Sequence, residues 1–134
     1  MSEQNKELMN RWFEEVWNKG RVEAVDEMLA EDCLAHGLGS VPLVGPAGFR
    51  TVVEKFRGAF PDIQIVVEDA VTEGDRVAVR TSVRGTHLGD HLGIAATGKP
   101  IDFTGMVFVR IKNGRIAEGW NNYDFQGMFA QIAP

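Results

Sequence analysis

The sequence predicts an α+β fold in which helices come first and a mainly antiparallel sheet follows. In the first half, apolar residues recur at spacings of three and four, which is typical of amphipathic helices. In the second half, they alternate with polar residues, which is typical of strands with one buried face. The chain has 134 residues without an internal repeat or linker, so we expect a single domain over residues 1–134.

Three helices are expected in the first half. The first should end at Gly20, and its apolar stripe consists of Leu8, Met9, Trp12, Phe13, Val16 and Trp17. A shorter stripe from Val22 to Leu29 predicts the second helix, and residues 33–38 form a candidate strand. Gly45-Pro46 should begin the third helix, because proline suits the first helical position. The apolar residues of that helix are Phe49, Val52, Val53, Phe56 and Phe60, with Pro61 after them.

Strands are expected from Ile63 onward. In the first of them, a set of apolar residues lies at positions of one parity, so these residues should share one face. They are Ile63, Ile65, Val67 and Val71. After a turn at Gly74-Asp75, the next strand should bury Val77, Val79, Thr81 and Val83. A glycine-rich connection over residues 88–100 leads to strands over 101–111 and 116–125, and the tail over 126–134 is expected to add one more turn.

The register of the final hairpin decides which side chains share a face. If Lys112-Asn113-Gly114 is a three-residue loop, Gly105 pairs with Asn121. The same register adds the pairs Val107–Gly119 and Phe103–Tyr123. A two-residue Asn113-Gly114 turn would shift every pair by one place.

A partner surface is predicted on the outer face of the sheet. Met106 and Phe108 have the opposite parity to Val107 and Val109, and the favoured register places Trp120 beside them. Exposed apolar residues of this kind indicate an interface. We therefore expect a homodimer through Met106, Phe108 and Trp120, unless the C-terminal tail covers them.

Composition excludes several classes of function. The formal net charge is −5 and the pI is about 5.2, which argues against nucleic acid as a partner. No stretch approaches the apolar length of a membrane span, and the polar N-terminus together with the single cysteine, Cys33, suggests a cytoplasmic protein. No phosphate-binding or dinucleotide motif is present, so we expect no nucleotide cofactor.

Three blocks in this order resemble the SnoaL-like polyketide cyclase (ester cyclase) family. They are Phe60-Pro61-Asp62, the stretch from Gly85-Thr86-His87 to Gly93, and Glu118-Gly119-Trp120-Asn121. The resemblance covers roughly Arg11 to Gln131. It implies a cone-shaped, nuclear transport factor 2-like fold, with three N-terminal helices packed on a curved sheet that encloses a cavity. It also implies one small apolar organic ligand and no cofactor.

The last block departs from the family pattern. The family's proton-shuttling aspartate matches Asn121, its histidine matches Gly119, and a further acid or histidine sometimes found on the preceding strand matches Val107. An amide donates and accepts hydrogen bonds, but it cannot act as a general base in this pH range. Asn121 is therefore either a catalytic donor or a hydrogen-bonding group in a binding pocket.

Two further residues are candidates for catalysis. His87 has the same parity as the inward-facing residues of the preceding strand, which predicts a position near the cavity mouth, where it could move protons. Alternatively, it anchors the loop that follows. Tyr123 carries a hydroxyl on the predicted cavity face and could donate to a ligand carbonyl. The predicted catalytic residues are thus His87, Asn121 and Tyr123, and His87→Ala is expected to remove turnover while binding persists.

Other residues are candidates for substrate contact. They are Trp12, His36, Phe60, Thr81, Phe103, Val107 and Gly119. His36 alternates with Leu34 and Leu38, which predicts one shared face.

Asp69 is either a buried base or, after a bulge, exposed to solvent. The spacing of His87, Asp90 and His91 is weak as a metal motif, so no metal is expected, and His91 fits a mobile lid.

Three functions remain open at this point. The resemblance favours a small enzyme that acts by proton transfer on an apolar, carbonyl-bearing ring compound, through an aldol-type cyclisation, an isomerisation or a hydration. The first alternative is a binder of a lipophilic small molecule without catalysis, which the missing aspartate favours. The second is a dimeric scaffold whose cavity is filled.

Overall fold

The computed structural model describes residues 2–134 and shows helices packed on one six-stranded sheet. The sheet order is β2-β1-β6-β5-β4-β3, and the β1–β6 pair alone is parallel. The helical elements are α1 (Ser2–Arg11), a π-helical continuation (Trp12–Asn18), α2 (Glu23–Met28), α3 (Gly45–Ala59) and α4 (Phe125–Gln131). The strands are β1 (Leu29–His36), β2 (Leu43–Val44), β3 (Gln64–Glu73), β4 (Arg76–Thr86), β5 (Pro100–Lys112) and β6 (Arg115–Tyr123). The predicted α+β class is confirmed.

The first helix buries the whole predicted stripe and ends at Asn18 with Lys19 as its C-cap, directly before Gly20, whose φ is +71°. Its second half is a π-helix, in which the Lys19 N–H donates to the Glu14 carbonyl oxygen, five residues back, at 2.9 Å. Apolar spacing did not indicate this wider turn, because the same stripe fits an α-helix. The π-helical turns carry Trp12, Phe13 and Trp17, and π-helical turns are frequent at functional sites.

Helices α3 and α4 complete the layer of helices that packs on the inner face of the sheet. Helix α3 begins at Gly45 with Pro46 in its first turn, as predicted. The C-terminal tail forms α4, which buries Met128 and Ile132. Among residues 2–134, no helix is long and apolar enough to cross a membrane.

Strand β4 confirms its predicted faces, whereas β3 does not keep its parity. The inward residues Val77, Val79, Thr81 and Val83 are all at most 2% exposed. In β3, pairing with β4 shifts between Val67 and Asp69, which is a bulge. Residues beyond it therefore change face. The expectation that Val71 shares a face with Ile63 and Ile65 is wrong, since Val71 is 66% exposed and the other two are buried. The outward interpretation of Asp69 is confirmed, because its side chain is exposed.

The predicted register of the β5–β6 hairpin is wrong by two residues. Lys112 pairs with Arg115 across a two-residue turn, with φ of +53° at Asn113 and +74° at Gly114. The pairing then shifts again between Arg110 and Ile111. The resulting pairs are Gly105–Tyr123, Val107–Asn121 and Val109–Gly119.

Two shifts of one residue restore the original parity, because side chains alternate with a period of two. The residues predicted to face inward therefore do so. On the outer face, Met106 is 61% exposed, and Phe108 and Trp120 are each 41% exposed. The tail does not cover them.

Candidate functional site

An aromatic cavity lies between the π-helical segment, α3 and the inner face of the sheet. Its space, counted with the open mouth, is about 440 Å³. The lining consists of Trp12, Phe13, Trp17, Leu38, Phe49, Val52, Phe56, Ile63, Ile65, Val83, Phe103, Asn121, Tyr123 and Phe125. Among the described residues, this lining includes no carboxylate and no imidazole. The cavity therefore suits a largely apolar, flat molecule.

Edge-to-face contacts fix the aromatic wall. The ring centroids of Trp12 and Phe49 are 5.0 Å apart, and those of Trp17 and Phe56 are 6.3 Å apart. Phe125 stacks on Phe56 at 5.5 Å, so the start of α4 closes one side. Sequence reasoning did not single out Trp17, Phe49 or Phe125 as lining residues. Trp17 and Phe49 could have been found, because they lie on the same apolar helix stripes as Trp12 and Phe56, respectively.

Asn121 projects from β6 into this cavity, and its orientation is set by β1. Its Nδ2 donates a hydrogen bond to the backbone carbonyl oxygen of His36 at 3.0 Å. Because a carbonyl oxygen accepts only, the amide nitrogen has to face it. Within residues 2–134 the Asn121 amide makes no other side-chain hydrogen bond. One N–H and the Oδ1 atom therefore remain for a ligand.

Tyr123 packs over Gly105 on the neighbouring strand. A Cβ at Gly105 would lie 2.1 Å from Cδ1 of the Tyr123 ring. The room that two glycines were expected to leave for a ligand is thus partly filled by Tyr123 itself. Desolvation raises the pKa of Tyr123 to about 12, and a hydrogen bond with the Thr81 side chain opposes this shift. The phenol is therefore a neutral donor at physiological pH, although part of the ring stays accessible.

Thr81 stands behind Tyr123. It is fully buried, and its hydroxyl donates to the carbonyl oxygen of Gly105 at 3.0 Å. Thr81 is not among the residues that line the cavity. Its position makes it a support for Tyr123 and Gly105 instead of a substrate contact.

The structure does not bring His87 to the cavity wall. Its ring is fully buried, and its Nδ1 accepts a hydrogen bond from the Thr97 N–H at 3.2 Å and lies 2.9 Å from the Thr97 hydroxyl. Its Nε2 is buried without a hydrogen-bond partner among the described residues. Phe60 packs beside it, with ring centroids 5.8 Å apart, and likewise does not line the cavity. The arrangement matches the loop-anchoring interpretation of His87.

The first two family-like blocks meet at this point of the fold. The Asp62 carboxylate accepts hydrogen bonds from both the N–H and the hydroxyl of Thr86, each at 2.8 Å. Desolvation raises the pKa of Asp62, but the hydrogen bonds from Thr86 outweigh it and leave that pKa below its usual value. Residues 60–62 and 85–87 therefore join the start of β3 to the end of β4. Their role in this structure is architectural.

The loop after His87 is fastened to the end of α3. The N–H groups of Leu88 and Gly89 donate to the Ala59 carbonyl oxygen at 3.0 and 3.2 Å. A Cβ placed on Gly58 would lie only 2.4 Å from Cδ2 of the His91 ring. The His91 ring therefore packs directly against Gly58. His91 is expected as a lid, yet among the described residues it does not line the cavity.

His36 lies on the outer face of the sheet. Its Nε2 is 2.7 Å from a Glu118 carboxylate oxygen, and its ring stacks on Trp120 with centroids 5.4 Å apart. The pKa of Glu118 is lowered first by this hydrogen bond and then by Arg110, against desolvation. The prediction that His36 shares a face with Leu38 is wrong. Strand β1 ends at His36, and Gly37, with φ of +88°, redirects Leu38 into the cavity.

The remaining predicted contacts divide between two spaces. Trp12 and Phe103 line the main cavity, as predicted from the sequence. Val107 and Gly119 face a smaller, adjoining space, which measures about 320 Å³ when its openings to solvent are counted. Trp12 and Asn121 border both spaces. The structure thus gathers Trp12, Phe103, Asn121 and Tyr123 around one cavity, with the other predicted contacts outside it.

The sequence is similar to those of known cyclases. The chain is 26% identical over 121 residues to the aklanonic acid methyl ester cyclase DauD of Streptomyces sp. (strain C5), covering 88% of this chain and 75% of DauD. It is 28% identical over 122 residues to the nogalonic acid methyl ester cyclase of Streptomyces nogalater, covering 87% and 88%. Both relatives are named as cyclases.

Solved structures share the fold. IdmH of Streptomyces antibioticus superposes with a TM-score of 0.83 at 31% identity, covering 98% of this chain and 99% of IdmH. A protein from Jannaschia sp. CCS1 superposes with a TM-score of 0.90 at 24% identity, covering 99% and 94%. The family model of the SnoaL-like polyketide cyclases matches residues 7–132, and the chain therefore belongs to that family.

Proposed function

We propose that this protein is a cofactor-independent enzyme that promotes proton-transfer chemistry on an apolar, carbonyl-bearing ring compound. The observation that carries the proposal is the pairing of an aromatic cavity with two neutral hydrogen-bonding groups, Asn121 and Tyr123, in its wall. The aromatic rings would hold the ligand by burial and stacking. The two polar groups would orient its carbonyl oxygen.

The proposed mechanism stabilises an enolate. When a proton leaves the carbon next to the carbonyl, negative charge develops on the carbonyl oxygen. The free N–H of Asn121 would donate to that oxygen, and so would the Tyr123 hydroxyl once its hydrogen turns from the Thr81 oxygen to the ligand. Donors held in a dry site stabilise such charge strongly. In an aldol-type closure, the enolate carbon then attacks a second carbonyl, and the new alkoxide takes up a proton. The wall offers no side-chain base among the described residues, so both protons would pass through water at the mouth.

A second function is favoured by one specific observation. The Asn121 amide, which the sequence resemblance matches to the family aspartate, is held by the His36 carbonyl oxygen. A protein with this amide could bind the ligand without changing it. Binding is common to both functions, and proton exchange on the bound ligand separates them.

A thermal-shift screen against single-ring and fused-ring ketones tests the shared claim. A ligand present at about 100 times its Kd should stabilise the fold by about 2.7 kcal/mol, which raises Tm by several degrees. A panel without any shift would contradict both functions and favour the scaffold interpretation. Phe103→Leu provides the control that a hit occupies the cavity, because this ring lies in its wall.

We also propose a homodimer through the outer face of the sheet. The apolar side chains of Met106, Phe108 and Trp120 are exposed there beside one another, and Phe108 contacts Trp120 edge to face at 5.8 Å. A second copy would bury this patch. Phe108→Glu should yield monomers in sedimentation experiments. Val41→Glu is a suitable control, because Val41 is 70% exposed in a loop; a monomeric wild type would contradict the proposal.

A further inference from the structure

A second, deeper space lies inside the cone behind the aromatic cavity. Its space, counted with its openings to solvent, is about 320 Å³, of which about 20 Å³ is free for a water-sized group. Its lining consists of Met9, Trp12, Leu29, Cys33, Ala35, Phe49, Val107, Val109, Ile116, Gly119 and Asn121. We call it the inner chamber. Trp12, Phe49 and Asn121 border both spaces. These three residues therefore form the boundary between the cavity and the inner chamber.

The inner chamber exists because small residues meet on the sheet. Ala35 and Gly119 are direct partners across the parallel β1–β6 pair, and Cys33 lies two residues before Ala35 on the same face. A Cβ placed on Gly119 would meet only the Val109 Cγ1 at 3.6 Å and the Asn121 Nδ2 at 4.0 Å. These are ordinary contact distances. The backbone would thus accept a larger residue at position 119, and the space comes from side-chain size.

The chemistry of the inner chamber is that of a neutral, apolar pocket. Desolvation, followed by the charges of Asp32 and Glu118, raises the pKa of Cys33 to about 11, so its thiol is uncharged at physiological pH. The remaining wall is apolar apart from the indole N–H of Trp12 and the Asn121 amide, both at the boundary. A charged or strongly polar group placed there would lose its hydration without a partner. An alkyl group matches the wall.

We propose that the inner chamber is a subsite for a short alkyl substituent on the ring compound. The ring lies in the outer cavity, and its substituent passes between Trp12, Phe49 and Asn121. The inference rests on the proposed function for the position of the ring. Each methylene buried in the chamber should strengthen binding about fourfold until the space is full.

A homologous series of ligands tests the subsite. Methyl, ethyl and propyl 2-naphthyl ketones would be titrated by tryptophan fluorescence, because Trp12 and Trp17 line the cavity. In the wild type, Kd should fall about fourfold per added carbon until the chamber is full. Gly119→Ala, which places a methyl group in the chamber, should remove about one such step for the longest ketone and leave the methyl ketone unchanged. Cys33→Ala, which removes a sulfur atom, should favour the longer chain.

The two variants change the chamber in opposite directions, so each is the control of the other. Their Tm values, measured first, confirm that both are folded. Equal responses of the wild type and both variants to chain length would overturn the subsite and leave the cavity proposal standing. If none of the three ketones bound the wild type, the proposed function would fail, and the subsite would fail with it.

Discussion

The side-chain amide of Asn121 donates to the backbone carbonyl oxygen of His36 across 3.0 Å, which links the inner face of β6 to the end of β1. The resemblance of the last sequence block to the family pattern leads us to expect an aspartate at this position. A charged carboxylate would place oxygen against oxygen here, because both groups only accept. An aspartate at position 121 would therefore have to be protonated or to turn away.

This relationship predicts the behaviour of Asn121→Asp. Desolvation and the His36 carbonyl should raise the pKa of the new carboxyl group in the folded state. A raised pKa gives stability that is present below about pH 4 and is lost as pH rises. We expect a loss of about 1 to 3 kcal/mol at pH 7 relative to pH 4, seen as a Tm difference from the wild type. Asn122→Asp, on the exposed outer face, is the matched control, and an identical pH profile in both variants would contradict the assignment.

Gly105→Ala should disturb the site through Tyr123. The added Cβ would meet the ring at 2.1 Å, so Tyr123 must move off its packing position. Overpacking of this kind costs about 1 to 3 kcal/mol, and ketone binding should weaken as well. Gly119→Ala, where the added Cβ has ordinary contacts, should retain its Tm. Equal Tm losses in the two variants would show that Tyr123 does not depend on Gly105.

Tyr123 predicts a signature at high pH. Its pKa is about 12 in the folded protein, against about 10 in an unfolded chain. Its contribution to stability is complete below pH 10 and is lost as pH rises from about 10 to about 12. Tyr123→Phe should lack this part of the alkaline loss of Tm. A wild type and variant that decline in parallel would indicate an ordinary, hydrated phenol.

His87→Ala should act on stability. The substitution removes a fully buried ring that is tied to Thr97, and large-to-small changes in a core cost about 2 to 5 kcal/mol. Turnover per folded molecule, measured well below the lowered Tm, should persist. His91→Ala is the control, because that side chain is 55% exposed. Lost turnover with unchanged stability would restore His87 as the proton carrier expected from the sequence.

Faces of strands were predictable from the sequence, whereas pairings were not. Alternation in β4 placed Val77 to Val83 correctly, because burial of one face follows from the period of two. The Asn113-Gly114 pair is typical of the two-residue turn that the structure contains, and the three-residue interpretation was the wrong choice between the two. The bulge between Arg110 and Ile111 had no signal in the sequence. The two shifts restored the parity of Asn121 and Tyr123, and these residues therefore face inward despite the wrong pairing.

Site residues were harder to predict where the backbone leaves regular structure. His36 and Leu38 share a parity, but the positive φ of Gly37 between them sends their side chains to opposite sides. His87 follows the parity of β4 inward, yet it packs behind the wall against Phe60. Parity fixes a face of the sheet; it does not fix which inward residues border an open space.

Proton exchange on a bound ketone tests directly whether the protein promotes proton transfer on its ligand. Methyl 2-naphthyl ketone would be incubated in D₂O with the wild type and with Tyr123→Phe, and NMR would follow deuterium entering its methyl group. We expect exchange to be faster with the wild type than in buffer and to fall by about 10² with Tyr123→Phe, while Kd changes little. Exchange at the buffer rate despite clear binding would contradict catalysis and establish the protein as a binder.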